Sequence, residues 1–104
     1  MSADAEKYLS DSQQRLLKLI LTLAGHEVEG LAPGQIATAA ECAPSAVTRD
    51  LANLKHAGFA EQIQTTGRWR LGPQVTQLGL RYMTAMDRAE RKLTDVRSRF
   101  SAAD

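Results

Sequence analysis

Two prolines constrain this chain most, because Pro33 and Pro44 bound a segment with room only for a short helix. Pro33 fits the first turn of a helix, where its missing N–H removes no hydrogen bond. Ala43 precedes a proline and is therefore pushed out of the α region, so the helix that starts at Pro33 ends before it. Its apolar face is small: Ile36, Ala37 and Ala40. We predict a short helix, a sharp turn and a new helix from Pro44.

The helix that follows the turn is predicted to run from Pro44 to Ala57 and to end at Gly58. Its apolar residues Val47, Leu51 and Leu54 recur at spacings of four and three and form one stripe. The residues predicted to lie away from this stripe are Ser45, Ala46, Thr48, Arg49, Asn53 and His56.

An earlier helix is predicted from a capping-box pattern, Ser10 followed by Gln13, and from Gly25 at its end. Its apolar residues have helical spacing: Leu16, Leu17, Ile20, Leu21 and Ala24. Residues 1–9 are small, polar and acidic, and we expect a flexible N-terminus there. Residues 29–32 are long enough for only one extended rung, that is, a single residue paired with a strand.

A β-hairpin is predicted after Gly58, with strands at Phe59–Ile63 and Arg68–Leu71 and a turn at 64–67 that ends in glycine. Alternation along the second strand places Trp69 and Leu71 on one face. Arg68 and Arg70 then share the other face. We expect Trp69 to lie in the core.

A long helical pattern follows Pro73 and continues to about Phe100. One set of small and apolar residues in it recurs at alternating spacings of four and three, as in a heptad seam. This set is Val75, Gly79, Tyr82, Met86, Ala89, Leu93, Val96 and Phe100. The hypothesis is a homodimer in which these helices pair with each other, or pack against the first helix of the partner.

This order of elements predicts a mainly α fold with a small β-hairpin: a winged helix-turn-helix followed by a long C-terminal helix. The predicted boundaries are a flexible N-terminus at 1–9, the winged helix-turn-helix at 10–73 and a dimerisation or linker helix at 74–104.

Composition argues against several classes of function. Cys42 is the only cysteine, which excludes an intramolecular disulfide and a multi-cysteine zinc site, while His26 and His56 are isolated. The Gly67 to Gly72 spacing lacks the Lys-Ser/Thr of a phosphate-binding loop. The longest apolar stretch is too short for a membrane span, and no signal segment opens the chain. We therefore expect a cytoplasmic protein that is not an enzyme, with no cofactor, no metal and no evident small-molecule effector.

One segment of the sequence is Ser45-Ala46-Val47-Thr48-Arg49-Asp50-Leu51-Ala52-Asn53-Leu54, followed by Ala57-Gly58-Phe59. This segment resembles the recognition helix, and the exit from it, of the IclR family of bacterial regulators. The run Gly67-Arg68-Trp69-Arg70-Leu71-Gly72-Pro73, followed by Leu78-Gly79, resembles the family's wing and the start of its linker helix, and is the more discriminating of the two. The resemblance covers about residues 13 to 83 and implies a double-stranded DNA-binding domain.

The sequence departs from the family pattern in three respects. Asp50 stands where the family usually has an apolar residue, and Ala32 replaces the usual hydroxyl cap of the second helix. The family's effector-binding domain does not follow the linker helix, so we expect a stand-alone DNA-binding domain. Asp50 is expected to pair with Arg49 or Lys55, or to lie at the side of the helix.

The geometry of a helix-turn-helix places the N-terminal part of its second helix at base edges in the major groove. Arg49 is the strongest candidate for reading a base, since a guanidinium can pair bidentately with guanine. The complete set of predicted DNA-binding residues is Gln35, Ser45, Ala46, Thr48, Arg49, Asn53, Thr65, Thr66, Arg68 and Arg70. We predict a sequence-specific transcriptional regulator, a homodimer that reads an inverted repeat.

The charge of the chain leaves a second interpretation open. The formal net charge is only +1, although the first half of the sequence is acidic and the second half basic. A winged helix with so little net charge can instead serve as an adaptor for protein contacts, with little sequence-specific DNA binding.

Overall fold

The computed structural model describes residues 3–103, so Met1, Ser2 and Asp104 of the predicted terminal segments lie outside the described residues. Its elements in chain order are α1 (Ala3–Glu6), α2 (Asp11–Leu23), α3 (Pro33–Ala40), α4 (Pro44–Ala57), β1 (Ala60–Gln62), β2 (Trp69–Leu71) and α5 (Pro73–Ala103). This architecture is mainly helical, with a two-stranded antiparallel hairpin and a long C-terminal helix, and it is a winged helix. The chain divides into two units, Met1–Gln74 and Val75–Asp104.

The helices begin and end close to the predicted residues. The Ser10 hydroxyl accepts a hydrogen bond from the Gln13 N–H at 3.3 Å and caps α2. Gly58 ends α4 in the left-handed conformation, with φ of 82°. One element was not predicted: Ala3–Glu6 form a single helical turn inside the segment expected to be flexible. Ala and Glu favour helix, which accounts for a local turn there.

The turn between α3 and α4 closes through backbone hydrogen bonds. Glu41 adopts the left-handed conformation, with φ of 55°, and the Cys42 N–H donates to the Ala37 carbonyl at 2.9 Å. Such an end satisfies carbonyls that the helix itself leaves without partners. Pro44 then starts α4 without losing a hydrogen bond. The short helix and sharp turn predicted from the two prolines are confirmed.

The hairpin is tied to the helices by one additional rung. Leu31 and Trp69 exchange two backbone hydrogen bonds, each 2.8 Å long, which confirms the single extended rung predicted before α3. Gly30 precedes this rung with φ of 72°, and a β-carbon there would lie 2.8 Å from the Trp69 carbonyl oxygen. The close approach of the two segments therefore requires glycine at position 30.

One hydrophobic core joins α2, α3, α4 and the hairpin. Trp69 lies in this core, as its strand position predicts. The buried members are Leu19, Leu23, Ile36, Ala37, Ala40, Val47, Leu51, Leu54, Ala60 and Trp69. The predicted helix α2 is confirmed, and packing decides which of its apolar residues are buried: Leu19 and Leu23 are buried, while Leu17 and Leu21 are exposed. Because α2 has more apolar residues than one face can bury, their spacing alone does not determine which of them face the core.

α5 is a helix of 31 residues, about 46 Å long at 1.5 Å per residue. From Gln74 to Ser101 its side chains are exposed, except for the half-exposed Val75. Apolar side chains are exposed along this helix: Leu78, Leu80, Tyr82, Met83, Met86, Leu93, Val96 and Phe100.

The core predicts a large cost for shortening Leu51, which is 2% exposed. We expect Leu51→Ala to lower the free energy of unfolding by about 2–5 kcal/mol, because the change removes buried methyl groups and leaves a cavity. Val28→Ala is the control, since Val28 is 88% exposed, and we expect a change within about 0.5 kcal/mol. Equilibrium urea unfolding measures both, and equal losses would contradict this core.

Candidate nucleic-acid interface

The exposed side of α4 carries four of the predicted DNA-binding residues: Ser45, Thr48, Arg49 and Asn53. Ser45 and Thr48 lie in the first turns of the helix, and Arg49 follows directly. These residues bring a hydroxyl, a second hydroxyl, a guanidinium and an amide to one surface. Together these groups can donate to and accept from base edges and phosphates.

Two of these side chains are also bonded within the helix. The Thr48 hydroxyl donates to the Pro44 carbonyl at 3.1 Å, and the Asn53 amide donates to the Arg49 carbonyl at 2.9 Å. In this arrangement the Thr48 oxygen is still able to accept, and Asn53 retains its carbonyl oxygen and a second N–H. Arg49 is exposed.

The prediction for Ala46 needs correction, because its side chain is 7% exposed and lies in the protein interior. The buried side of α4 comprises Ala46, Val47, Asp50, Leu51 and Leu54. It is wider than the predicted stripe of three residues, as a core-facing helix requires. Ala46 precedes Asp50 by one helical turn and faces inward with it, so we exclude Ala46 from the interface.

Asp50 is held by a residue of another helix. The Arg15 guanidinium donates to Asp50 through Nε at 2.6 Å and through Nη2 at 3.0 Å, which is a bidentate pair. Asp50 is only 6% exposed. The expected partners Arg49 and Lys55 are therefore wrong. The hydrogen bonds to the Asp50 carboxylate raise the pKa of Arg15 above its ordinary value.

This ion pair connects α2 to the helix that carries the candidate interface. Because it is bidentate, it restrains both the position and the rotation of α4. It also keeps a carboxylate off the exposed side of α4, where negative charge would repel phosphate. The sequence signal was present but overlooked: Asp50 lies three residues after Val47 and four before Leu54, which places it on the buried side.

The wing presents its two arginines differently. Arg70 donates from Nε to the Glu61 carboxylate at 2.7 Å, and these residues face each other in the hairpin register. Arg68 precedes β2; its backbone N–H donates to the Thr66 hydroxyl at 3.2 Å. Thr65 and Thr66 are exposed at the tip. Glu61 was missed because its position opposite Arg70 depends on the strand register.

Gln35 has a structural role in addition to its exposure. Its side-chain oxygen accepts from the Ala32 N–H at 2.9 Å. This contact caps the start of α3 from inside the helix, where Ala32 has no hydroxyl to do so. Gln35 is exposed, and its side-chain amide retains two N–H donors.

Glu27, which follows His26 in the sequence, accepts a hydrogen bond from the backbone of the same loop. The Gly25 N–H donates to Glu27 at 2.9 Å and lowers the pKa of that carboxyl below its ordinary value.

Across residues 3–103, no group of three His, Cys, Asp or Glu side chains is arranged to hold a metal ion. Over the same residues no helix combines the length and apolar character needed to span a membrane.

The fold is similar to a solved structure, that of HmgR from Pseudomonas aeruginosa. The two have a TM-score of 0.62 and 25% sequence identity over 68% of this chain. The chain spans 29% of the length of HmgR, which is a regulator of the IclR family. No protein-family model matches the sequence, and no curated protein matches it either. The similarity supports a related winged-helix DNA-binding domain.

The Arg15–Asp50 pair can be tested by exchanging both charges for apolar groups. We expect Arg15→Met and Asp50→Leu each to lower the urea midpoint, Arg15→Met more, because it leaves the buried carboxylate without its partner. The double variant is expected to recover the wild-type midpoint or exceed it, since apolar residues can replace a buried pair without loss. If the two single effects simply add in the double variant, the residues are not coupled and the assignment is wrong.

Proposed function

We propose that this protein is a transcriptional regulator that binds double-stranded DNA in a sequence-specific manner. The observation that supports this most directly is the composition of the exposed side of α4, where Ser45, Thr48, Arg49 and Asn53 are turned away from the core. The similarity to HmgR supports the same class of function. In this proposal the protein acts by binding DNA and not as an enzyme.

In the proposed complex the N-terminal half of α4 enters the major groove. Arg49 pairs with a guanine through two hydrogen bonds, and Ser45, Thr48 and Asn53 contact neighbouring bases or phosphates. α3 crosses the DNA backbone, near Gln35. Arg68, Thr65 and Thr66 of the wing contact phosphates, which sets position and orientation rather than sequence preference.

The proposal includes a homodimer formed through α5. The seam from Val75 to Phe100 keeps a heptad spacing, and the large apolar side chains in it are exposed in a single chain. Pairing of two such helices would bury these side chains. A two-fold dimer of winged helices reads an inverted repeat, with half-sites separated by about one helical turn or a multiple of it.

Selection from random-sequence duplexes tests the proposed function. We expect the wild type to enrich one inverted repeat and Arg49→Ala to lose about 1–3 kcal/mol of discrimination at one position of each half-site. Affinity for each half-site would fall roughly 5- to 150-fold. Lys55→Ala is the charge-matched control, because Lys55 is an exposed cation in the last turn of α4.

The control separates base reading from general attraction to DNA. Lys55→Ala is expected to weaken binding to all duplexes alike and to leave the selected sequence unchanged. Equal enrichment by wild type and Arg49→Ala would remove Arg49 from the proposed role. Binding that shows no sequence preference, or no binding at all, would contradict the proposal and favour the protein-contact adaptor.

The Arg70–Glu61 contact leads to a second prediction. On DNA, a phosphate would compete with Glu61 for Arg70, and the carboxylate would also repel the backbone. We expect Glu61→Gln to increase affinity for DNA of any sequence several-fold at low salt, with a steeper decrease as salt rises, because one more cation is available to phosphate. Fluorescence anisotropy across a salt series measures both quantities.

Glu29→Gln is the charge-matched control for the expected increase in affinity. Glu29→Gln removes the same charge from the loop before Leu31, outside the hairpin, and it should change affinity less. If Glu61→Gln binds DNA no more tightly than Glu29→Gln, then Arg70 does not act on phosphate.

A further inference from the structure

The Arg15–Asp50 pair lies at the border between the buried and the exposed sides of α4. Asp50 is the one charged side chain that α4 buries, and the other buried side chains of this helix are apolar. At about 100° per residue, Asp50 lies about 60° around the helix from Asn53 and about 100° from Arg49. The directional contact of the buried side is therefore next to residues proposed to contact DNA.

The first half of α2 holds α4 mainly through this pair. The buried residues of α2, Leu19 and Leu23, lie in its second half. In the first half, Leu16 is only partly buried against the core. An open cleft between the first turns of α2 and α4 is lined by Ser12, Gln13, Leu16, Asp50 and Asn53. Apolar packing is incomplete at this point, so the two hydrogen bonds from Arg15, 2.6 and 3.0 Å long, restrain the rotation of α4 there.

A small rotation of α4 would displace Arg49 from a base edge. Rotation by about 20° moves atoms on the outer surface of a helix, about 5–6 Å from its axis, by about 2 Å. Hydrogen bonds from nitrogen to oxygen span only about 2.7–3.2 Å, so a shift of this size breaks a bidentate contact. In the proposed complex the wing and α3 contact phosphates, which hold the domain in place and prevent it from following a rotated α4.

We propose that the Arg15–Asp50 pair determines the sequence specificity of this protein without contacting DNA. Arg15 and Asp50 are positioning residues, which fix the rotation of α4 at which the Arg49 guanidinium meets its base. Apolar side chains in the same two places would hold the fold equally well, but they would leave more than one rotation of α4 accessible. The inference deepens the proposed function and rests on it.

The double variant Arg15→Met/Asp50→Leu tests this role. It removes one positive and one negative charge, so general attraction to DNA is unchanged. Discrimination is measured as the ratio of affinities for the selected repeat and for the same duplex with the base pair read by Arg49 replaced. We expect this ratio to be about tenfold lower than in the wild type. Affinity for unrelated duplexes, and its salt dependence, should stay within about twofold.

A control variant separates the orientation of α4 from the stability of the fold. Leu23 is fully buried at the other end of α2 from Arg15. We expect Leu23→Val to lower the urea midpoint, because it removes a buried methylene group, and to leave the discrimination within about twofold of the wild type. An equal loss of discrimination in Leu23→Val and in the double variant would overturn the inference.

Arg15→Lys separates the geometry of the pair from its charge. Lysine keeps a cation beside Asp50 but lacks the two-donor fork of arginine. We expect Arg15→Lys to fold, with the near-UV signal of the buried Trp69 unchanged, and to discriminate about threefold less than the wild type. Full discrimination by this variant would show that the fork is not required and would overturn the inference. If the double variant does not fold, Arg15→Lys decides in its place.

The Arg49→Ala background tests whether the pair acts through Arg49. In that background the double change should cause no further loss at the base pair that Arg49 reads, because the two effects are coupled. A second, equal loss would overturn the inference, and so would a sequence preference that Arg49→Ala leaves intact.

These outcomes distinguish the inference from the proposed function. A wild type without any sequence preference would contradict both together. A wild type that reads a base through Arg49, and a double variant that reads it equally well, would overturn the role of the pair alone.

Discussion

The rotation of α4 about its own axis is the constraint on which the candidate interface depends. Five side chains of this helix face inward, and four of them are apolar and pack by burial alone. The fifth is Asp50, whose carboxylate is bonded at both oxygens by Arg15 of α2. A hydrophobic stripe tolerates small rotations, but a bidentate pair has one geometry. The Arg15–Asp50 pair therefore restrains the rotation of α4, whose opposite side is proposed to read DNA.

The hairpin depends on a similar combination of burial and directional bonds. Trp69 brings the largest side chain of the chain into the core, and its backbone bonds with Leu31 on one side while it pairs with Gln62 on the other. β2, the strand that carries Arg70, has only three residues, but it is held by the core, by the backbone of Leu31 and by β1. The turn at residues 64–67 lies beyond these contacts, so its exposed residues can vary in sequence without disturbing the core.

The sequence was informative wherever one residue type has one local consequence. Pro33, Pro44 and Gly58 determine helix starts and ends through backbone sterics, and the structure places those boundaries where the sequence predicts them. The sequence was less informative about which side chains pair across different helices and strands. Asp50 was assigned to nearby cations because the spacing shows neighbours along a helix and not the side chain of α2 that packs across it. The buried side of α2 could not be read from the sequence for the same reason: both sides of α2 are apolar, and only packing decides that Leu17 and Leu21 stay exposed.

Both α2 and α5 carry apolar side chains that a single chain leaves exposed. A monomer of this size buries its core with one side of α2, and the other side, like the face of α5, is left in water. Exposed apolar side chains grouped on one helix face mark surfaces that associate with another molecule. In the proposed homodimer the apolar face of α5 would be covered by the same face of the second copy, since a two-fold interface uses one surface of both chains. The way in which the two copies pair would then set the spacing of the half-sites that the proposed dimer reads.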